Sequence, residues 1–338
     1  MKKWNFANLS SIKIDEITTT EKPDTVDVKI KRALLSKLDL ETLKNKSNTR
    51  TIGTVAIGLI AEESDEDVEE LVKEAFKEEV STVDNTLHLG RKVIINPYRK
   101  TSSGEVKIMG VDEPGLFSDF VQMTEESLNL QLNTMTDDEA IFVPYIALGL
   151  NIFEKIDYEK GDTVVIVASN AMGLVVAQIA KYYQLVPILI SSNEEVLQKA
   201  EEYDLFFCHN PKDSEIANEV LQDTSARMGD YLVYLHDDSF SFESSLKVLK
   251  KGGTAIIASL TGMPKNPIKE ISSLLEKEVN VLTVNNGYKQ FSSAINLVAR
   301  KIVKLDGLIN ERVEISNIQE AIDKLAKGSN SLIDVQFK

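Results

Sequence analysis

A strand, a short loop and a helix follow one another between Gly161 and Lys181. The apolar run 163–168 is rich in β-branched side chains and bounded by turn residues, which indicates a strand buried on both faces. Small residues follow, and Gly173 opens a helix with apolar side chains along it. A second apolar run, Val186–Ile190, predicts the next parallel strand. This order is that of the first unit of a dinucleotide-binding fold, in which the helix N-terminus faces a pyrophosphate.

The loop carries only part of the glycine pattern that marks such a unit. The three glycine positions of G-x-G-x-x-G hold Ala168, Asn170 and Gly173. The third glycine of the pattern, which lets helix and strand pack closely, is present as Gly173. At the second position, the Asn170 side chain occupies space where the backbone approaches phosphate. Two interpretations therefore stay open, a nucleotide site and an α/β unit that binds nothing. The candidate cofactor-binding residues of this loop are Ala168, Ser169, Asn170, Ala171, Met172, Gly173 and Leu174.

Length and composition limit the class of protein. A chain of 338 residues suggests two domains. Its apolar runs all fall short of the roughly 18 residues that a membrane span needs, and its N-terminus has no apolar signal core. The single cysteine, Cys208, favours a cytoplasmic location. The net charge of -15 disfavours nucleic acid or an anionic membrane as a partner, because phosphate binding depends on Lys and Arg.

Strands and helices alternate after Gly161, which predicts a parallel sheet. The region before residue 60 is predicted to be rich in strands, with clear candidates at Val26–Lys31 and Thr51–Ile60. The segment Lys100–Gly110 is predicted to be a loop. Two short strands joined by a turn are predicted at Gly115–Met123 and Glu125–Leu130.

An acidic amphipathic helix is predicted at residues 64–80. A capping-box pattern opens it at Ser64, and apolar residues recur at helical spacing from Val68 to Phe76. Its other face carries five glutamates. A solvated helix lying on the core and a docking surface for a basic protein partner are both compatible with this pattern.

The order of these parts resembles the medium-chain dehydrogenase/reductase superfamily, and within it the zinc-type alcohol and polyol dehydrogenases. The segments that carry the resemblance are Val28–Leu40, Thr51–Glu62, Gly90–Tyr98, Gly161–Lys181, Lys251–Thr254 and the tail through Ala321. The resemblance implies an α/β fold, with a GroES-like β-rich catalytic domain and a Rossmann-type doubly wound parallel-sheet domain. The resemblance implies a GroES-like catalytic domain at 1–147, with residues 64–80 as a helical insertion, and a Rossmann domain at 148–286. Residues 287–338 then return to the catalytic domain.

The same resemblance implies that the zinc ligands of the family are missing. The thiolate, imidazole, glutamate and third-ligand positions align with Ser36, Thr54, Val55 and about Val143, and Lys100–Gly110 has no cysteines for a structural zinc. We therefore expect no zinc. Zinc-free members transfer hydride to a polarised acceptor with the help of hydrogen-bond donors. The candidate catalytic residues are Ser36, Asp39, Thr54 and Tyr145, with Asn96 and Tyr98 more distant; Tyr145 is either a proton donor or a core residue.

The nucleotide itself stays open between NAD and NADP. The position at which NAD enzymes carry a ribose-binding acid aligns with Ser191, which is followed by Ser192, and the turn at Ser259 is a further candidate contact. Lys199 is the candidate cation for a 2′-phosphate. His236, with Asp237 and Asp238, follows a predicted strand and is either a ligand-binding cluster or a solvated turn.

Two hypotheses for the function follow. The first is a zinc-independent NAD(P)-linked oxidoreductase acting on a small carbonyl, enone, alcohol or polyol. The second is a non-catalytic relative that keeps the fold as a binding or scaffold subunit. The apolar strand predicted at Val279–Val284, near the edge of the sheet, predicts a homodimer.

Overall fold

A computed structural model of the chain describes residues 2–16, 24–45, 49–61, 87–213, 215–237, 239–258, 272–328 and 331–337. The predicted acidic helix at 64–80, Ser259 and Asp238 lie outside these ranges. The chain forms two compact units, one of residues 1–144 and 309–338, the other of residues 145–308. In the described part, no helix has the length and apolar character needed to cross a membrane.

The first unit is built around an antiparallel sheet. The strands of the unit are β1 (Lys2–Asn8), β2 (Ser11–Glu16), β3 (Val26–Leu35), β4 (Val55–Ile60), β5 (Lys92–Ile95), β6 (Tyr98–Lys100), β7 (Val106–Ile108), β8 (Phe120–Met123), β9 (Leu128–Leu130), β16 (Glu311–Glu314) and β17 (Ile333–Gln336). The pairs β1-β2 and β6-β7 each form a separate two-stranded sheet. Within the described residues, the main sheet has the order β16-β17-β3-β4-β5-β9, and β8 also pairs with β3. Only β16 and β17 pair in parallel there.

An aromatic group closes the core of the first unit. The rings of Trp4 and Phe337 meet edge to face with centroids 5.5 Å apart, and Phe117 packs against both Phe6 and Phe337. All four side chains are buried. Residues from both ends of the chain therefore share one core, which fixes the last strand against the first.

A buried ion pair also joins β17 to β3. The Asp334 carboxylate is fully buried and lies 2.7 Å from the guanidinium of Arg32, with Arg312 at 3.4 Å. Arg32 also binds Asp138 at 2.6 Å. Because an unpaired buried charge is costly, these partners stabilise the pairing of the two strands.

The second unit contains a parallel sheet. Its strands are β10 (Thr163–Val167), β11 (Val186–Ile190), β12 (Phe207–His209), β13 (Gly229–Tyr234), β14 (Leu249–Ala258) and β15 (Asn280–Val284). The order β12-β11-β10-β13-β14-β15 has every neighbouring pair parallel. Numbered within the unit, this order is 3-2-1-4-5-6, which is the order of the dinucleotide-binding fold. The chain reverses its direction of progress between β10 and β13, and ligands of such sheets bind at that point.

Helices cover both units. Those of the first unit are Lys37–Asn45, Asp137–Ala140 and Ile318–Ala326; those at and after the boundary are Val143–Phe153, Ala171–Tyr182, Glu194–Glu202, Ile216–Asp223, Phe242–Ser245, Ser272–Lys277 and Phe291–Ala299. The helix Ala171–Tyr182 is buried along residues 171–180, as its apolar sequence requires.

One expectation for the first unit was incomplete, one was confirmed, and two elements were missed. Lys100–Gly110 is not all loop, because β7 lies within it and pairs with β6. The two short strands predicted after Gly115 are present: β8 pairs with β3, and β9 pairs with β5. The sequence also gave no signal for the N-terminal hairpin of β1 and β2 or for the helix Lys37–Asn45.

Candidate functional site

The Asp39 carboxylate joins two of the candidate catalytic segments of the first unit. Ser36 immediately precedes the helix Lys37–Asn45, and Asp39 lies in its first turn. One oxygen of Asp39 accepts the Ser36 backbone N–H at 2.9 Å and the Ser36 hydroxyl at 3.1 Å. The other oxygen accepts the backbone N–H of Gly53 at 3.0 Å. Asp39 therefore holds Ser36 near the segment that leads to Thr54.

The backbone at Gly53 is shaped for this contact. Its φ of +99° lies in the left-handed region, and a Cβ there would come within 2.6 Å of the Phe117 ring. Only glycine fits such a position without displacing a buried aromatic side chain. The segment before β4 is therefore held by its backbone, and Thr54 follows directly.

Burial dominates the electrostatics of Asp39. The side chain is enclosed, and this desolvation raises the pKa of Asp39 from 3.8 to about 6, against the hydrogen bonds from Ser36 and Gly53, which lower it. The carboxyl group therefore changes charge close to neutral pH. Its nearest polar neighbour with a hydrogen to exchange is the Ser36 hydroxyl.

Thr54 contributes a buried hydroxyl. The residue is only 4% exposed, and its Oγ1 finds no hydrogen-bond partner among the described residues. An unsatisfied buried hydroxyl is costly, and such groups often mark functional positions. The other candidates are also buried: Tyr145 lies in the helix Val143–Phe153, and Asn96 accepts the backbone N–H of Tyr98.

In the second unit, Asn170 caps the helix that starts at the switch point. Its side-chain oxygen accepts the backbone N–H of Met172 at 2.9 Å, as an N-cap residue does. The backbone N–H of Gly173 also donates, to the Asn170 carbonyl at 3.1 Å, so the first helical turn uses two of its amides internally. Gly173 supports close packing, because a Cβ there would lie 2.6 Å from the Cβ of Ala168. A parallel-sheet edge with a helix N-terminus and small residues fits a dinucleotide, with the amides of Met172 and Gly173 already bonded to Asn170.

The loops that follow β10, β11 and β13 are bonded to one another. Ser169 donates its backbone N–H to the carbonyl of His236 at 3.1 Å, and the Asn193 side chain donates to the carbonyl of Ser169 at 3.0 Å. Asp237 is 2% exposed and accepts the backbone N–H of Ser192 at 2.7 Å. The carboxyl edge of the sheet is thereby held in one arrangement.

Ser191 and Ser192 have different surroundings within this edge. Ser191 is fully buried, and its hydroxyl accepts the backbone N–H of Asn193 at 3.2 Å. Ser192 is half-buried, and its carbonyl accepts the ammonium of Lys212 at 3.1 Å. Lys199, the cation expected from the sequence, instead pairs with Glu202 at 2.6 Å.

Sequence reasoning missed the roles of Asp237 and Lys212. Both residues follow strands that neighbour β10 or β11 in the sheet, so their positions come together only once the strand order is known. The carboxyl ends of parallel strands lie at one edge of the sheet. Asp237 and Lys212 can therefore be found by comparing the polar residues that directly follow each predicted strand.

Comparisons with known proteins agree with this architecture. Residues 171–300 match the family described as zinc-binding dehydrogenase. An uncharacterized zinc-type alcohol dehydrogenase-like protein from Haemophilus influenzae is 21% identical over 253 residues, which cover 71% of this chain and 73% of that protein. An alcohol dehydrogenase from Cupriavidus necator is 23% identical, over 66% of this chain and 63% of its own length.

A solved structure shares the fold over the whole chain. A short chain alcohol dehydrogenase from E. coli CFT073, complexed with NADH, superposes with a TM-score of 0.79 at 16% identity, covering 100% of this chain and 99% of that one. These comparisons support the resemblance of this chain to the medium-chain dehydrogenase/reductase superfamily. The two units of the chain correspond in class to the β-rich and parallel-sheet domains expected of this superfamily.

At the positions that the resemblance aligns with the superfamily's zinc ligands, the side chains of this chain do not fit a zinc ion. Two of these positions carry the hydroxyls of Ser36 and Thr54, and the others carry aliphatic valine side chains, whereas zinc takes thiolate, imidazole or carboxylate. Among the described residues, no group of three or more His, Cys, Asp or Glu is arranged to hold a metal ion.

Proposed function

We propose that this chain is a zinc-independent NAD(P)-linked oxidoreductase that interconverts a small alcohol or polyol and its carbonyl compound. Its relatives support the coarser statement, that it is an oxidoreductase of the alcohol and polyol dehydrogenase type. The observation that carries the proposal is the 3-2-1-4-5-6 strand order, with the helix Ala171–Tyr182 starting directly after β10. Two of the solved structures that are similar to this chain contain NADH or NADP.

The second unit binds and orients the nucleotide in this proposal. Residues 168–174 approach the pyrophosphate, because the N-terminus of the helix carries partial positive charge. When bound, the nicotinamide accepts or supplies a hydride. The bonds between the loops of Ser169, Asn193 and His236 keep the binding edge ordered before the nucleotide arrives.

The first unit handles the proton in this proposal. As an alcohol is oxidised, its carbon gives up a hydride and its hydroxyl gives up a proton. Ser36 already directs its own hydroxyl hydrogen to Asp39 at 3.1 Å, so its oxygen can accept the alcohol's proton while its own passes to Asp39. The unsatisfied hydroxyl of Thr54 donates a hydrogen bond to the substrate oxygen.

Nucleotide titration tests the proposal directly. We expect purified protein to bind NADH or NADPH saturably, as followed by nucleotide fluorescence and by thermal shift. Substrate screening with small carbonyls, enones and polyols then follows at saturating nucleotide. Activity that survives dialysis against a strong zinc chelator supports the zinc-free chemistry, whereas loss of activity restored by zinc contradicts it. Absence of binding of either nucleotide at millimolar concentration contradicts hydride transfer.

The internal cap on the helix favours a second candidate, a dehydrogenase fold that serves as a non-catalytic binding subunit. Asn170 already uses the Met172 amide, and the loop lacks two of the three fingerprint glycines. This candidate predicts nucleotide binding that is absent or unaccompanied by turnover. The same titration therefore separates the two candidates.

A further inference from the structure

The loops that follow β11 and β12 emerge side by side from the parallel sheet. Ile190 pairs with His209, and the backbone N–H of Ser191 donates to the carbonyl of His209 at 3.0 Å. Residues 191–193 therefore lie next to residues 210–212. In a dinucleotide-binding sheet, the end of the second strand is where the adenosine ribose is recognised.

The acid nearest this end is engaged by the protein itself. Asp237 accepts the backbone N–H of Ser192 through one carboxylate oxygen and that of Ser239, at 2.8 Å, through the other. Its side chain is buried. A carboxylate that selects NAD must be open to the ribose hydroxyls, so Asp237 does not take that role.

A lysine lies at the same place and is exposed. Lys212 donates its ammonium to the carbonyl of Ser192 at 3.1 Å, and its backbone N–H is held by the side chain of Asn210 at 3.0 Å. An ammonium has three N–H donors, and the Ser192 carbonyl takes one of them. Asn210 also binds the carboxylate of Glu194, the nearby acid that would oppose a phosphate.

We propose that Lys212 and the Ser192 loop form a site for the 2′-phosphate of an NADP-type nucleotide. The inference rests on the proposed function and assigns its cofactor. The ammonium of Lys212 pairs with the phosphate as a point charge, and the half-buried residues 192–193 border it. Lys199 does not take part, because it is paired with Glu202 and lies over the ring of Tyr203.

Calorimetric titration with adenosine 2′,5′-bisphosphate and with 5′-AMP tests the site without any catalytic readout. We expect the bisphosphate to bind about tenfold or more tightly than AMP, since charge-assisted phosphate contacts are strong. Lys212→Gln should remove most of that preference while leaving AMP affinity unchanged, and Lys212→Arg should retain it. Lys199→Gln is the matched control and should behave as the unsubstituted protein. The preference should also weaken as salt rises.

The outcomes separate this inference from the proposed function. If NADH and NADPH bind equally well, or if Lys212→Gln affects both to the same extent, the nucleotide site stands and the 2′-phosphate site is wrong. If neither nucleotide binds, both are wrong. A preference for NADPH that disappears only in Lys212→Gln supports both.

Discussion

Asp39 accepts the backbone N–H of Gly53 at 3.0 Å across fourteen positions of the chain. The same carboxylate binds the amide and the hydroxyl of Ser36. A single buried acid therefore determines how the two proposed hydroxyl donors of the first unit are placed. Its surroundings also make the stability of the fold depend on pH.

Stability should rise as Asp39 takes up a proton. Burial raises its pKa to about 6, above the ordinary 3.8, so the folded state binds the proton more tightly than the unfolded state between these values. The free energy of unfolding therefore decreases as pH rises from about 4 through 6, by up to about 3 kcal/mol for this group. Urea denaturation at pH 4.5 and 7 measures the free energies of unfolding of the wild type and of Asp39→Asn. The difference between them should change in favour of the wild type at the lower pH.

Asp138→Asn is the control for this measurement. Burial acts to raise the pKa of Asp138, but the hydrogen bond from Arg32 and the charges of Arg32 and Arg312 outweigh it and hold the pKa below 3.8. The ionised carboxylate of Asp138 therefore stabilises the fold throughout the range tested, and this stabilisation is lost only as the pH falls below about 3.8. The difference between wild type and Asp138→Asn should therefore be constant between pH 4.5 and 7. An equal response of both variants would contradict the assignment to Asp39.

Thr54→Val should separate stability from activity. Removing a buried hydroxyl that has no partner among the described residues relieves a desolvation cost, so the free energy of unfolding should rise by about 1 kcal/mol. If Thr54 donates to the substrate oxygen, kcat should fall about 100-fold. Denaturant titration and steady-state kinetics give the two values.

Thr51→Val provides the matched comparison for that substitution. Thr51 precedes Thr54 by three positions and is also buried, but its hydroxyl donates to the side chain of Asn5 at 2.7 Å. Its replacement should lower the free energy of unfolding by about 1 kcal/mol or more and leave kcat unchanged. Unchanged kcat in Thr54→Val would remove Thr54 from the proposed chemistry.

Asn170→Gly should increase nucleotide affinity. The substitution frees the backbone N–H of Met172, which Asn170 now accepts, and restores a glycine where the backbone approaches phosphate. Glycine is a tolerable N-cap, so the loss of stability should be only a few tenths of a kcal/mol. We expect the dissociation constant for NADPH to fall about threefold to tenfold, since one charge-assisted amide contact is gained.

Thr136→Gly is a suitable control for this effect. Thr136 also caps a helix, through the backbone N–H of Glu139, but it lies in the first unit, away from the nucleotide loop in sequence and sheet. An affinity gain confined to Asn170→Gly supports the pyrophosphate assignment. Weaker binding in Asn170→Gly would show that the asparagine side chain is itself a ligand contact.

The edge strand β15 should mediate a homodimer. It is the last strand of the parallel sheet, and Val281 is 36% exposed on it. An exposed strand edge with apolar residues favours pairing with a second copy. Val281→Lys should shift the chain from dimer to monomer in size-exclusion chromatography with light scattering. Phe206→Lys, which replaces an 85% exposed residue beside the opposite edge strand β12, should leave the dimer intact; a monomeric wild type would contradict the dimer altogether.

The second unit was largely predictable because its strands are short apolar runs between turn residues. The strand β11 begins and ends where the apolar run Val186–Ile190 does. In contrast, the helix Lys37–Asn45 carries no clear apolar period, and its first turn is held by the contacts of Asp39 with Ser36 and Gly53. Tertiary contacts decide such an element, and a local pattern does not reveal them.

The candidate site was predictable only in part, for a similar reason. Ser36 and Thr54 were found through the resemblance, because hydroxyl residues in isolation have no distinguishing pattern. Asp237 was noticed beside His236, but its bond to Ser192 joins residues 45 positions apart in sequence. Lys212 was missed because its significance depends on β12 lying next to β11.

The interleaving of the two units in sequence has a consequence for synthesis. Residues 145–308 are contiguous, so the parallel-sheet unit can collapse while the chain is still being extended. The other unit cannot complete its sheet until β17 emerges to pair with β3 and to bring Asp334 to Arg32. Until then, the exposed edge of β3 is a site for misassociation, and a nascent chain that stalls before residue 333 should depend on chaperones.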